Sequence, residues 1–311
     1  MNATNPAWAE LLPDEDFRFH FGLKPGDAAA FFARTREHAS LIQQRQHWLK
    51  QAPQACAALL PEGAPLLQET LVLARQWQTL PEHAGDIASP PPSAEPPDVL
   101  GRVSPCAPGP SSVPAAGKPT PANSNPALQR CLALGRVWEP DFLLLKPDTA
   151  GQFRLVAACV CFPSSWRLSE KIGQPLEAIH APVPSLNSTL GRSIHQFLAK
   201  LQPGPAWRRA NWGLSRSPEL NQHPDRNLPR LMPPLTLDEV WLRIEHQALV
   251  ALPETGGILF GIRLEMISLT EVKLHAEAKR GLLRALRTMP EEIAAYKNLA
   301  AARADLRRLL Q

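Results

Sequence analysis

Two short apolar runs in the middle of the chain constrain its fold more than any other feature. FLLLKP occupies residues 142–147, FRLVAACVCF occupies residues 153–162, and the link between them runs from Asp148 to Gly151. Each run is apolar at both odd and even positions and is too short for a core helix, which predicts strands buried on both faces. The Gly-containing link predicts that they form a hairpin. The chain should therefore be built around a well-covered sheet.

Three further strands are predicted downstream, at 207–215, 239–250 and 257–266. Two short helical pieces precede them. The first ends at Gly173 and the second begins at Pro175, following the preference for Gly after a helix and Pro at its start. Two strands, short helices and three antiparallel strands predict an α+β fold on a five-stranded antiparallel sheet. This order resembles that of PAS domains, which hold ligands between the inserted helices and the concave sheet face, so we expect a PAS-like fold with helical flanks.

Composition divides the chain into four regions. Residues 1–83 are predicted to be mainly helical. Residues 84–127 are dominated by Pro, Ser, Ala and Gly. With few large apolar groups, that segment cannot offset its ordering entropy by burial, so we expect a flexible linker. The PAS-like domain should then occupy 128–270, and two C-terminal helices within 271–311 should pack on it.

Charge and cysteine usage exclude several classes of function. A formal net charge of +4 over 311 residues gives no reason to expect a nucleic-acid partner or an anionic membrane surface. The five cysteines include no Cys-x-x-Cys pair, which argues against an iron–sulfur cluster or a zinc site on this chain. We expect Cys159 and Cys161 to be buried, reduced side chains. The odd count, the absence of a signal-like N-terminus and the absence of a long apolar stretch lead us to expect a cytoplasmic protein.

One segment carries a family resemblance. Residues 161–184 read CFPSSWRLSEKIGQPLEAIHAPVP. They resemble the haem-dependent oxidative N-demethylase family, whose members share Phe-Pro-x-x-Trp, then Glu-Lys-x-Gly, then Ile-His-x-Pro-Val-Pro. Further similarity lies in GRVWEPDFLLL (135–145), WRRANW (207–212) and WLRIEHQALVALPETGGILFGIR (241–263), and more weakly in PEEIAAYK (290–297). The resemblance covers roughly residues 135–300.

The resemblance implies a PAS-fold subunit that binds haem b. Such a subunit oxidises a secondary methylamine such as dimethylamine with molecular oxygen and releases formaldehyde and the demethylated amine. Electrons are implied to come from a separate reductase subunit that carries FMN and a [2Fe–2S] cluster. The absence of a cysteine cluster on this chain is consistent with that division of labour.

The same resemblance points to His180 as the haem-iron ligand. A haem needs an axial donor, commonly an imidazole, and His180 is expected at the end of the second short helix. Without the resemblance, a histidine at a helix C-terminus is as well explained by its favourable interaction with the helix dipole. His195 is interpreted as a surface or core histidine. Lys171 and Arg167, near the first short helix, are candidate partners of the haem propionates, although solvated helix charges explain them as well. Arg209 is a further candidate cofactor-binding residue, and Trp212 is a candidate packing contact of the haem.

The strand at 239–250 supplies the candidate catalytic residues. Arg243 and Glu245 alternate along it and share one face. If this face lines the pocket, Glu245 is expected to bind an alkylammonium substrate. Arg243 would tune the charge of Glu245 or hydrogen-bond bound oxygen or a haem propionate, and Asn211 on the preceding strand would supply a polar partner. Alternatively, the face is an ordinary solvated sheet face, which is the more frequent case.

Three functions therefore stay open from the sequence. The first is a haem enzyme that demethylates an amine with oxygen. The second is a haem-based sensor of PAS type, although no output domain is recognisable after residue 270. The third is a non-catalytic ligand-binding or partner-binding protein.

Overall fold

The computed structural model describes residues 8–81 and 125–311. The expected linker at 84–127 lies outside the described residues except for its last three positions. These three begin a helix rather than a linker, because the Asn125 side chain caps it by accepting hydrogen bonds from the main-chain N–H groups of Ala127 and Leu128.

The described residues form seven strands and twelve α-helices. The strands are β1 (Lys24–Gly26), β2 (Ala57–Leu59), β3 (Asp141–Pro147), β4 (Phe153–Cys159), β5 (Ala206–Ser215), β6 (Trp241–Ala251) and β7 (Ile258–Ser268). The helices are α1 (Trp8–Leu11), α2 (Ala28–Phe32), α3 (His38–Gln51), α4 (Pro53–Cys56), α5 (Ala64–Gln76), α6 (Pro126–Gly135), α7 (Leu176–His180), α8 (Arg192–Ala199), α9 (Leu269–Leu274), α10 (Ala276–Thr288), α11 (Glu291–Tyr296) and α12 (Arg303–Leu310). No helix in the described ranges is long and apolar enough to cross a bilayer.

The α+β class is confirmed, but the predicted number of strands is wrong. All strands pair antiparallel in the order β1-β5-β6-β7-β3-β4-β2. The five predicted strands are adjacent in the middle, and β1 and β2 extend the sheet at its two edges. β1 pairs Gly26 with Ala206, and β2 pairs Ala57 with Cys159. These short strands satisfy backbone groups that would otherwise be exposed at the sheet edges.

The sheet has two differently covered faces. On the outer face, which carries Phe142, Ala248 and Leu259, the N-terminal helices and α6 pack against the strands. The C-terminal helices cover the rest of the outer face, around Leu242 and Ile244. On the inner face, α7 and α8 pack against a smaller apolar cluster. That cluster includes Leu143, Leu249 and Phe260.

The C-terminal region holds four helices where two were predicted. The first predicted helix is interrupted at His275, whose backbone is extended with φ −92° and ψ 106°. After α11, Asn298 takes the left-handed conformation with φ +57°, which Asn tolerates better than most residues. These breaks fold α9, α10 and α12 back onto the outer face, where Leu282, Leu286 and Leu306 are buried.

Candidate functional site

A cavity of about 380 Å³ lies between the β3–β4 turn and the inserted helices α7 and α8. Its walls include Phe153 from β4, Leu176 and His180 from α7, and Ile194 and His195 from α8. Pro175, the N-cap residue of α7, pairs with Arg154 of β4 and anchors the helix to the sheet. The cavity is thus lined by apolar groups together with two imidazoles and the polar side chains of Gln152, Glu177, Asn187 and Arg192.

His180 is a neutral, unpaired imidazole in the described part of the chain. It is the last residue of α7 and is partly buried. Burial, and next the positive charges of Lys171 and Arg209, lower its pKa to about 4. Such a side chain does not serve as a cationic helix cap at neutral pH, because the charged form is disfavoured. A neutral imidazole with a free ring nitrogen is the form that binds a metal.

His195 lines the same cavity as His180, which the sequence did not indicate. It lies on α8, one residue after Ile194 and three before the buried Leu198, and its own side chain is exposed. The apolar spacing of Ile194 and Leu198 indicates which side of α8 packs on the protein. That spacing alone could have suggested that His195 borders the packed side.

Two basic residues, Lys171 and Arg209, lie near His180. Arg209 lies on the inner face of β5, and its Nε is buried without a hydrogen-bond partner among the described residues. Burial lowers the pKa of Arg209, and Glu245 opposes that shift. Burial also lowers the pKa of Lys171, whose Nζ lies 5.3 Å from the centroid of the Trp166 ring. Because buried polar groups are normally hydrogen-bonded, this arrangement favours an anionic ligand near Arg209.

Arg243 is buried, and its donors are directed to neighbouring loops. Its Nε donates to Ser164 Oγ at 2.7 Å. Its two terminal nitrogens donate to the main-chain carbonyls of Leu220 and Phe162, each at 2.7 Å. The guanidinium therefore fastens the segments that follow β4 and β5 to β6. Because all three nitrogens of Arg243 are engaged, the predicted role that remains for this residue is an influence on Glu245.

Glu245 lies on the inner face of β6 with a set of polar neighbours. Its Oε1 accepts from Ser164 Oγ at 2.7 Å, and its Oε2 accepts from Gln247 Nε2 at 3.1 Å. Asn211 is its Cα partner on β5. The structure therefore brings Arg209, Asn211 and Glu245 together on one face, as the alternation along the strands predicted.

Trp212 lies on the other face of the sheet. Its side chain packs against the apolar cluster of the C-terminal helices, and Lys297 Nζ lies 5.1 Å from its ring centroid. The structure does not bring Trp212 together with His180 and Arg209, because strand neighbours alternate between faces.

Tyr296 and Lys297 approach Glu245 from the end of α11, and the sequence did not single them out. Lys297 Nζ donates to the main-chain carbonyl of Trp212 at 2.7 Å. Burial lowers its pKa to about 8; Arg209 acts in the same direction and Glu245 opposes it. Burial, and next Glu245, raise the pKa of Tyr296. The weak similarity of PEEIAAYK to the family was the available signal, and only the fold places it near β6.

We expect Lys297 to titrate near pH 8, and Glu245→Gln to lower its pKa further. The substitution removes a negative charge that favours the ammonium form. Competitive acylation with acetic anhydride across the alkaline range, read by mass spectrometry, measures this pKa. Glu265→Gln is the matched control, because Glu265 pairs with His246 on the outer face. An unchanged Lys297 pKa in Glu245→Gln would show that the two groups do not interact.

Comparison with known protein families agrees with these observations. Residues 112–306 match the model of the family described as haem-dependent oxidative N-demethylase, alpha subunit-like. The match spans more than half of the 311 residues. The chain belongs to this family. Membership confirms that residues 161–184 resemble this family. It indicates a haem-dependent oxidative function. The family description as an alpha subunit indicates that the protein has a partner subunit.

The residues at the inner face fit a haem. A haem needs an imidazole donor, an apolar slot and basic partners for its propionates. His180 is neutral and has no hydrogen-bond partner among the described residues, and Phe260 and Ile262 expose part of their apolar side chains on the inner face. The Arg209 Nε, which is buried without a partner in the described ranges, is a donor suited to a carboxylate.

Proposed function

We propose that this chain binds haem b through His180 and demethylates a secondary methylamine, dimethylamine-like, with molecular oxygen. The observation that carries the proposal is the neutral, unpaired His180 beside two cations at a partly open apolar face. The five central strands, in the order β4-β3-β7-β6-β5 with α7 and α8 inserted between β4 and β5, support a PAS-like core. Electrons would come from a separate reductase subunit that carries FMN and a [2Fe–2S] cluster.

In this proposal the residues around the cavity hold the cofactor and exclude water. His180 would bind the haem iron, and Lys171 and Arg209 would supply positive charge for the propionates. Haem, when bound, supplies the redox chemistry with oxygen. The overall reaction consumes the amine, O₂, a pair of electrons and a pair of protons, and it yields formaldehyde, the demethylated amine and water.

Glu245 is the proposed amine-binding group. Its carboxylate faces the same side of the sheet as Arg209 and Asn211 and already accepts two hydrogen bonds, from Ser164 and Gln247. A carboxylate has about four acceptor positions, so it retains acceptors for the N–H groups of an alkylammonium ion. Asn211 offers an amide next to it. Binding the amine here would hold it near the face that receives the haem.

Glu245→Gln is expected to weaken dimethylamine binding at least tenfold, about 1.4 kcal/mol, while haem content is unchanged. Removing one partner of a poorly hydrated charge pair typically costs ~2–5 kcal/mol. Spectral titration of the ferric protein with dimethylamine measures the dissociation constant, and Glu265→Gln on the outer face serves as the control. If Glu245→Gln titrates like the parent protein, the amine site must be sought at Asn211 and its neighbours.

Oxygen consumption separates the enzyme from a sensor. With a reductase supplied, we expect dimethylamine to stimulate oxygen uptake and formaldehyde release in equal amounts. A haem-loaded protein that binds the amine without formaldehyde release would favour a sensor over an enzyme.

A further inference from the structure

We propose that Ser164 is the positioning residue of Glu245, through which buried Arg243 orients the carboxylate. The inference rests on the proposed function, since it assigns a role to the hydroxyl that supports the amine-binding group. Ser164 belongs to the Phe-Pro-x-x-Trp segment that follows β4, and it reaches β6 across about eighty residues of sequence.

The hydrogen bonds of Ser164 have a fixed direction. Arg243 Nε and Ser164 Oγ are 2.7 Å apart, and Ser164 Oγ and Glu245 Oε1 are also 2.7 Å apart. A guanidinium only donates hydrogen bonds, and a hydroxyl has a single proton. Ser164 therefore accepts from Arg243 and must give its proton to Glu245. The hydroxyl becomes a stronger donor because the bond it accepts from the cation polarises it.

Arg243 acts on the carboxylate through this hydroxyl. Its side chain is buried, and its other nitrogens are engaged by the carbonyls of Leu220 and Phe162. These hydrogen bonds fix the Arg243 guanidinium beneath the loops that contain Leu220 and Phe162. Because the guanidinium is held in place, the Ser164 hydroxyl that accepts from it is held in place as well.

The hydrogen bonds from Ser164 and Gln247 orient the Glu245 carboxylate but leave some of its acceptor positions free. Ser164 occupies one acceptor position of Oε1, and Gln247 Nε2 occupies one of Oε2. With both oxygens held, the carboxylate plane is fixed relative to β5 and β6. A fixed plane presents the remaining acceptors to the amine at a lower entropic cost than a freely rotating one.

The Ser164 hydroxyl is separable from the backbone that carries it. The Ser165 N–H donates to the Gln222 carbonyl at 3.0 Å, and the Gln222 N–H donates to the Pro163 carbonyl at 3.0 Å. Both bonds are independent of the Ser164 side chain, so the loop keeps its position when the hydroxyl is removed. Ser164→Ala therefore removes the hydroxyl without displacing the loop, and Ser164→Thr restores a hydroxyl at the same position.

The experiment titrates the ferric, haem-loaded protein with dimethylamine at neutral pH. The parent protein is compared with Ser164→Ala, Ser164→Thr and Glu245→Gln. We expect Ser164→Ala to weaken binding about tenfold, because the carboxylate loses the hydrogen bond that orients it. Ser164→Thr should restore the affinity, because it returns a hydroxyl to the same position.

Three results would overturn the inference. If Ser164→Ala titrates like the parent while Glu245→Gln does not, Ser164 has no part in positioning and the proposed function stands. If Ser164→Ala weakens binding and Ser164→Thr does not rescue it, the role of Ser164 is structural. If neither Ser164→Ala nor Glu245→Gln changes binding, the assignment of the amine site to Glu245 fails as well. Soret absorbance and urea unfolding of each variant verify that haem and fold are retained.

Discussion

His180→Ala is expected to give a folded protein that retains little haem and has lost most of its Soret absorbance. The substitution removes the proposed axial nitrogen, while α7 stays anchored by the pairing of Pro175 with Arg154. Loss of residues that only support a metal ligand typically costs about 10–100-fold in metal affinity, so loss of the ligand should cost at least as much. Haem content after reconstitution at limiting haem, read as the pyridine haemochrome, measures the effect.

His195→Ala is the matched control, because it removes an imidazole from the same cavity. We expect it to keep its haem content and an unchanged Soret band. Imidazole added to His180→Ala should recover part of the haem binding by replacing the lost donor. Full haem content and an unchanged spectrum in His180→Ala, with loss in His195→Ala, would move the ligand to α8.

Asp141→Asn is expected to lower the free energy of unfolding by ~3–5 kcal/mol, because it leaves the buried guanidinium of Arg45 without its counter-charge. Arg45 and Asp141 are almost fully buried, with Nη1 and Oδ1 2.6 Å apart. Burial raises the pKa of Asp141 to about 6, and Arg45 opposes that shift, so the carboxylate is ionised at neutral pH. Asp141 also accepts the N–H groups of Cys161 and Phe162. Urea unfolding followed by circular dichroism at pH 7 measures the loss.

Asp148→Asn provides a close control in an exposed setting. Asp148 also accepts two main-chain N–H groups, from Ala150 and Gln152, and pairs with Arg154 at 3.2 Å. An exposed pair of this kind contributes about 0–1 kcal/mol, so its loss should be small. If Asp141→Asn costs no more than Asp148→Asn, the buried pair does not fasten α3 to the sheet. Replacing both Arg45 and Asp141 by apolar residues should recover much of the lost stability.

The central strands could be predicted because their signals are local. The apolar run at 142–147 covers all of β3 except Asp141, and the run at 153–162 contains the whole of β4 and the three residues after it. The predicted bounds of β5, β6 and β7 differ from the observed ones by at most two residues at either end. β1 and β2 could not be predicted. Each has three residues, and what stabilises it is pairing with β5 or β4, so its own sequence carries almost no strand signal.

Some features of the candidate site could likewise be predicted from the sequence, and others could not. The alternation of Arg243, Glu245 and Gln247 along one strand face was readable from the sequence, because side chains of a strand alternate with a period of two. The partners of Arg243 were not readable, since Ser164, Leu220 and Phe162 lie 79, 23 and 81 residues away along the chain. Hydrogen bonds between residues so far apart exist only when the fold brings their loops to β6. The sequence by itself therefore determined which polar groups share the inner face of the sheet. Only the tertiary structure decided that the terminal nitrogens of Arg243 bind the main-chain carbonyls of two loops, and that the charge of Glu245 acts on Lys297.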